Sequence, residues 1–244
     1  MTDKAVELIF HDGWAELVLN RPERKNAIIG PMGVDLAEAM AEAQMRDDVR
    51  VILLCGAGGA FCSGLDLKAF NADPAPGWLG DFQHIWRAAH RALFQSNKPI
   101  VCALERYAIN GGAALALAAD LMVVGEGAFL QVGEVQIGMA APYNLAWLSL
   151  RHSEATMARI ALLGERMHGP ELSDMGLAHA CVADDAVLGE SRGLCERMAG
   201  FPDQGLARIK AGLRARLELD ADAWFDRFTG IDPVGSRPRP RALA

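Results

Sequence analysis

Apolar and polar positions alternate with a period of two in Val6–Phe10 and again in Trp14–Leu19, and His11-Asp12-Gly13 between them carries turn chemistry. The pattern predicts a β-hairpin. Pro22 disfavours helix at Arg21, and over residues 31–47 the spacing changes: Val34, Leu36, Ala37, Met40, Ala41 and Ala43 recur at helical intervals behind Pro31, a residue suited to a helix's first turn. Residues 49–55 form an apolar, β-branched run that predicts a buried strand, and the glycine-rich stretch 56–64 follows it. A helical pattern over 78–95 leads to a second buried strand at 99–104, then to Gly111-Gly112 and a small-residue helix over 113–119. The order strand, glycine loop, helix therefore occurs twice. Short strands are predicted at 121–124 and 128–132, and strands alternating with helices argue for an α/β core with largely parallel sheets.

Beyond Pro142 the period is helical in every segment (144–152, 154–163, 170–175, 186–198, 205–219 and 222–228), and strand signals are scarce. No low-complexity linker separates this third from the rest. The reading is a core of residues 1–185 with a helical C-terminal extension, 186–244, of the same domain; Gly235-Ser236-Arg237-Pro238-Arg239-Pro240 predicts a mobile tail.

Composition narrows the function classes. The chain has 244 residues, 51% apolar and 23% charged, enough for one large folded domain and far from the signature of disorder. Its net charge of −7 supplies no general field for nucleic acid or anionic lipid, so a polyanionic ligand needs a local basic cluster. Five cysteines, an odd number without a CxxC pair, fit a reducing compartment. MTDKAVELIF lacks the basic start and long apolar run of a signal peptide, and the small-residue run ending before Asp120 is far short of a membrane span. A cytoplasmic chain with neither nucleic-acid nor membrane partners is expected.

Several chemistries are absent by inspection. Gly56-Ala57-Gly58-Gly59-Ala60-Phe61 has Phe61 where a dinucleotide fingerprint needs its third glycine, and GK[ST], GxSxG and HExxH do not occur. The six histidines show no metal-ligand spacing, so no metal site is expected. What remains is two loops, each following a strand: Phe61-Cys62-Ser63-Gly64-Leu65-Asp66-Leu67 and Tyr107-Ala108-Ile109-Asn110-Gly111-Gly112. Taken singly, each reads as a simple strand-to-helix turn.

The first loop resembles the F-x-x-G-x-D-L element of the crotonase, or enoyl-CoA hydratase/isomerase, family. Leu19-Asn20-Arg21-Pro22-Glu23-Arg24-Lys25-Asn26-Ala27 is similar to its L-N-R-P-x-x-x-N-A element, Asn110-Gly111-Gly112 stands at its triple glycine, and Val132-Gly133-Glu134-Val135-Gln136-Ile137-Gly138 resembles P-E-x-x-I-G with Gly133 for the proline. The four elements occur in family order over residues 6–138. The resemblance implies an α/β, crotonase-like (ClpP/crotonase) fold, a repeated ββα superhelix core with a helical C-terminal region. It also implies an acyl-CoA thioester substrate, no cofactor beyond the CoA moiety, and a homotrimer or a hexamer formed as a dimer of trimers.

The same resemblance assigns roles. A thioester loses an α-proton only if the developing enolate oxygen is stabilised, and two preorganised backbone N–H groups do this in a dry site; by family position these belong to Leu65 and Gly111. Family hydratases use two glutamates, whereas here Ala114 stands at the first position and Glu134 alone remains at the second. One carboxylate beside an enolate can carry a proton between carbons, as in the family's Δ3,Δ2-enoyl-CoA isomerases. A double-bond shift with Glu134 as shuttle is the first reading. Hydration is the alternative and needs a second acid/base, with Glu126, Glu105 and Asp66 nearest in sequence; decarboxylation, thioester hydrolysis or a non-catalytic CoA-binding scaffold are further readings. For CoA, the resemblance points to Ser63, Asp66, Leu67 and Lys68 along the adenine and pantetheine. It points to Arg24, Lys25 and Ala27 near the phosphates, where Arg21, Arg24 and Lys25 form the basic cluster. Arg106, at a position where the family has glycine, is expected in an ordinary backbone conformation.

Overall fold

The computed structural model describes residues 4–202, 204–215, 217 and 220–229; the predicted tail lies outside these residues. The expected hairpin forms: β1 (Val6–Phe10) pairs antiparallel with β2 (Trp14–Leu19), Val6 opposite Leu19. A short 3-10 turn at Pro22–Arg24 precedes α1 (Gly30–Met45) and β3 (Val51–Gly56). Next come the one-turn α2 (Leu67–Phe70), α3 (Phe82–Gln95), β4 (Ile100–Leu104), β5 (Tyr107–Ile109), α4 (Gly111–Ala118), β6 (Leu121–Gly125) and β7 (Phe129–Gln131). A 3-10 turn at Glu134–Ile137 leads to α5 (Pro142–Ser149), α6 (Glu154–Leu163), β8 (Arg166–His168), α7 (Gly169–Asp174), β9 (Ala180–Val182), α8 (Val187–Ala199), α9 (Gly205–Arg214) and α10 (Ala221–Thr229).

Six strands form one sheet in the order β1-β2-β3-β4-β6-β9, parallel from β2 onward, and β5-β7-β8 form a small second sheet. The continuous apolar run of β3 is explained by burial on both faces. Ile52 and Leu54 join the main core under α1, α3 and α4, while Val51, Leu53 and Cys55 pack against Val187, Leu194, Cys195 and Met198 of α8. On the α8 side the buried carboxylate of Glu16 accepts hydrogen bonds from Arg192 at 2.8 and 3.1 Å. Burial would raise that carboxyl, but Arg192 and the Cys55 thiol outweigh it and hold Glu16 below its ordinary range.

Three expectations are corrected. The helix predicted from residue 78 starts at Phe82, because Trp78 sits in a turn with its ring packed where a Cβ on Gly30 would stand, 2.7 Å away. The C-terminal third is helical but contributes β8 and β9, three-residue strands too short to show a period. β5 is likewise missed, hidden between the second buried strand and Gly111-Gly112.

The loop after Pro22 is tied to the glycine-rich loop by one buried side chain. Asn26 donates from Nδ2 to the Ala57 and Ala60 carbonyls at 2.9 and 2.7 Å, and its Oδ1 accepts from the Arg21 amide at 2.8 Å. Replacing it would leave two carbonyls and an amide without partners in an interior position. Asn26→Ala should destabilise the protein by about 2–4 kcal/mol, measured by urea unfolding; a loss below about 0.5 kcal/mol would show that the loop repairs itself.

Candidate active site

Both glycine loops are pinned edge to edge. Cys62 forms a parallel bridge to Ala108, donating its amide to the Tyr107 carbonyl at 3.0 Å and accepting from the Ile109 amide at 3.1 Å. Ile28 bridges to Leu65 on the other side, with Ile28 N–H on the Gly64 carbonyl and Asp66 N–H on the Ile28 carbonyl. Two glycines permit this contact: at Gly64, with φ +89°, a Cβ would lie 2.9 Å from the Ile109 oxygen, and at Gly112 it would lie 2.7 Å from the Cys62 oxygen. The bridges leave the amides of Leu65 and Gly111 over. Neither donates to an acceptor among the described residues, and both residues are half-buried. Gly111 opens α4, whose other residues are buried all round, so its N–H also lies at the positive end of a helix.

Glu134 begins the 3-10 turn after β7 and is 9% exposed. Its Oε1 accepts from Asn144 Nδ2 at 2.9 Å, while Oε2 is buried with no partner among the described residues. Burial pushes the carboxyl up to about 7, against smaller opposing effects of its own amide and Asn144. The Asn144 amide also donates to the Asn110 carbonyl at 3.2 Å, so one side chain links Glu134 to the residue that precedes Gly111. Asn110, at φ +52°, accepts through Oδ1 from the Gly133 amide at 2.8 Å. Two departures from the family pattern are thereby coupled: a proline at 133 would have no N–H for Asn110. Ala114 is 1% exposed, packed in the core with its amide on the Asn110 carbonyl.

The basic cluster is arranged differently from the sequence reading. Asp66, 4% exposed, accepts from Arg24 at 2.9 Å and Arg21 at 3.1 Å, and caps α2 through the Ala69 amide at 3.1 Å. Burial alone would raise its carboxyl; the bonds from Arg24, Ala69 and Arg21 outweigh it and hold Asp66 down to about 2. Arg21 also donates to the Ala27 carbonyl. Arg21 is therefore a tether of the loop, Arg24 is partly neutralised, and Lys25 and Lys68 remain exposed charges beside half-buried Ser63 and exposed Leu67, with Ala27 buried. Arg106 is corrected too: it takes φ +54° with its side chain exposed, as Phe129 N–H bonds to its carbonyl.

Sequence reasoning missed Asn144 and the bond between Asn110 and Gly133. No periodicity flags them; the only signal is the unusual run Met139-Ala140-Ala141-Pro142-Tyr143-Asn144 after Gly138. Two surface clefts of about 590 and 340 Å³ lie elsewhere, one against Leu194 and Met198 of α8 and one between Phe94, Lys210 and Ala221. Among the described residues no three His, Cys, Asp or Glu side chains converge as a metal site, and no helix is long and apolar enough to cross a membrane.

Comparison with known proteins places this geometry. The family model for enoyl-CoA hydratase/isomerase matches residues 10–226. The chain belongs to the enoyl-CoA hydratase/isomerase family. A family member from Escherichia coli (strain K12), 1,2-epoxyphenylacetyl-CoA isomerase, is 29% identical over 228 residues, 89% of this chain and 87% of the relative. Carnitinyl-CoA dehydratase of Proteus mirabilis (strain HI4320) is 31% identical over 212 residues, 86% of this chain and 80% of its own. Among solved structures, a monofunctional enoyl CoA isomerase from M.smegmatis superimposes with a TM-score of 0.74 at 27% identity, covering 91% of this chain and 98% of that one. The crotonase-like α/β fold with a helical C-terminal region is thus established, as is an acyl-CoA enzyme of this family.

The raised carboxyl of Glu134 has a stability consequence. Between its ordinary 4.5 and about 7, the folded family member holds a proton that the unfolded chain has released, so stability falls as pH rises through that window. Glu134→Gln removes this slope. Its melting temperature relative to wild type should therefore be higher at pH 8 than at pH 5, read by thermal denaturation; a difference independent of pH would contradict the assignment.

Proposed function

We propose that this chain moves a double bond within an enoyl-CoA, converting the 3-enoyl thioester to the conjugated 2-enoyl thioester. The observation that carries the proposal is the pairing of one buried, proton-competent carboxylate with a methyl: Glu134 is linked through Asn144 to Asn110, the residue before Gly111, and Ala114 stands at the position where family hydratases carry their second acid. The amides of Leu65 and Gly111, with no acceptor among the described residues, support a role in receiving the thioester oxygen. With that oxygen polarised, Glu134 takes a proton from C2, the dienolate spreads charge to C4, and the same carboxyl returns the proton there. The protein gains and loses nothing over the cycle.

A carboxyl near 7 suits both halves, basic enough to take the proton and acidic enough to give it back. Two of the three alternative acids are poorly disposed for hydration: Asp66 is held by Arg21 and Arg24 as a helix cap, and Glu126 is exposed beyond β6; the third, Glu105, is half-buried between β4 and β5, its carboxyl under the influence of Arg106 and Arg192. For the CoA portion, Lys25, Lys68 and Arg24 at the rim supply charge for phosphates, and the backbone from Ser63 to Lys68 supplies an edge for the pantetheine. Relatives named as isomerases support the reading. Exposed Val135, next to Glu134, and exposed Leu162 and Leu163 of α6, the helix that contacts the Glu134–Ile137 turn, support a trimer that covers this edge.

Purified protein given a 3-enoyl-CoA should generate the absorbance of the conjugated thioester, with kcat rising as pH increases through about 7, where Glu134 loses its proton. Glu134→Gln should lower kcat by about 10²–10⁴-fold. Hydration of a 2-enoyl-CoA that persists in this variant would overturn the reading.

A further inference from the structure

Asn144, in the first turn of α5, is 2% exposed. Its Nδ2 donates to Glu134 Oε1 at 2.9 Å and to the Asn110 carbonyl at 3.2 Å. Both partners are oxygens that accept, so the atom facing them is the nitrogen and the orientation of the amide is fixed. Its Oδ1 is buried with no hydrogen-bond partner among the described residues. An unpaired buried acceptor carries the desolvation cost of the group, and an apolar side chain of the same shape would avoid it. What the amide supplies in return is its two donated bonds, and their targets are two parts of the candidate site.

The first target is the carboxyl. Oε1 is committed to a donor and Oε2 has no partner among the described residues, so the proton of neutral Glu134 sits on Oε2. Burial raises this carboxyl, its own amide and Asn144 lower it, and no charged group among the described residues acts on it. The second target is a peptide unit. The Asn110 carbonyl and the Gly111 N–H belong to one trans peptide and point in opposite directions. The carbonyl receives two donors, Asn144 Nδ2 and the Ala114 amide at 3.0 Å, while the N–H has no acceptor among the described residues. Hydrogen bonds in series polarise one another, so donors on the carbonyl make that N–H a stronger donor. The circuit closes through Asn110 Oδ1, which accepts from the Gly133 amide at 2.8 Å, one residue before Glu134.

We propose that Asn144 is the positioning residue of this site, holding the Glu134 carboxyl and the Asn110–Gly111 peptide in one fixed relation and favouring negative charge at both, the carboxylate on one and the thioester oxygen on the other. It moves no proton and touches no substrate. This inference rests on the proton-shuttle reading of Glu134, and its test includes readouts on the free protein.

Two variants of the full chain give the test. Asn144→Leu keeps the shape of the side chain and removes both donors; Asn144→Asp keeps the shape and sets a second carboxyl against the first. With glutamate carboxyls isotope-labelled, the Glu134 NMR resonance, identified by its absence in Glu134→Gln, should titrate about one pH unit higher in Asn144→Leu than in wild type, and higher again in Asn144→Asp. The rise of kcat with pH on a 3-enoyl-CoA should move with it, the plateau falling about 10–100-fold while KM changes less than about twofold. The Gly111 amide proton should move upfield in Asn144→Leu. An unmoved Glu134 titration, an unmoved Gly111 resonance, or a loss that falls on KM alone overturns the proposal. Should Asn144→Leu fail to fold, Asn144→Asp against wild type decides the titration by itself. The expected resonance shifts in a protein whose wild type converts no 3-enoyl-CoA would overturn the proton-shuttle reading while supporting the hold of Asn144 on both groups.

Discussion

Two short parallel bridges, Cys62 to Ala108 and Ile28 to Leu65, set the geometry on which the site depends. Neighbouring amides are paired, Ser63 N–H on the Lys25 carbonyl and Asn110 N–H on the Gln131 carbonyl, and those of Leu65 and Gly111 are left with no acceptor among the described residues. These two amides sit on backbone fixed by elements packed in the main core, so in the proposed reaction they would need no reorganisation to receive charge. Asn26 and Arg21 reinforce the arrangement from the N-terminal loop, by bonding the Ala57, Ala60 and Ala27 carbonyls. The polar residues of the L-N-R-P-x-x-x-N-A element thus hold the loop before they hold any ligand.

The proposed double-bond shift further requires a carboxyl that can both take and give a proton near neutrality. Burial does this at Glu134 by penalising the charged form, and the single donor from Asn144 only partly offsets it. Asp66 is the contrast: about as buried, but with two guanidinium partners and a helix amide, it is held far on the acidic side. A carboxyl is fixed as a structural anion in one loop and left titratable in the other by the number of donors around it.

Much of this was legible in the chain. Period-two hairpin residues, the apolar β3 and β4 runs and the loops at Gly64 and Gly112 are local features, and local features survive into the fold. Leu65, Gly111 and Glu134 could be placed because four sequence elements occur in order. Asn144 could not, because it reaches Glu134 only after α5 packs on α4, and no spacing encodes that contact. Arg106 and Asn110 show a related limit: their positive φ values follow from the β5 pairing, which a three-residue strand does not announce. The Asp66 pairing with Arg21 and Arg24 spans about forty residues and changes a presumed phosphate cluster into a partly neutralised one.

The account makes one carboxyl responsible for both proton transfers, which isotope position reads directly. A 3-enoyl-CoA deuterated at C2 and converted in ordinary water, with the product analysed by NMR early in the reaction, should show a measurable share of the label at C4. Label lost entirely to solvent, or water found added at C3, would contradict a single shuttling acid.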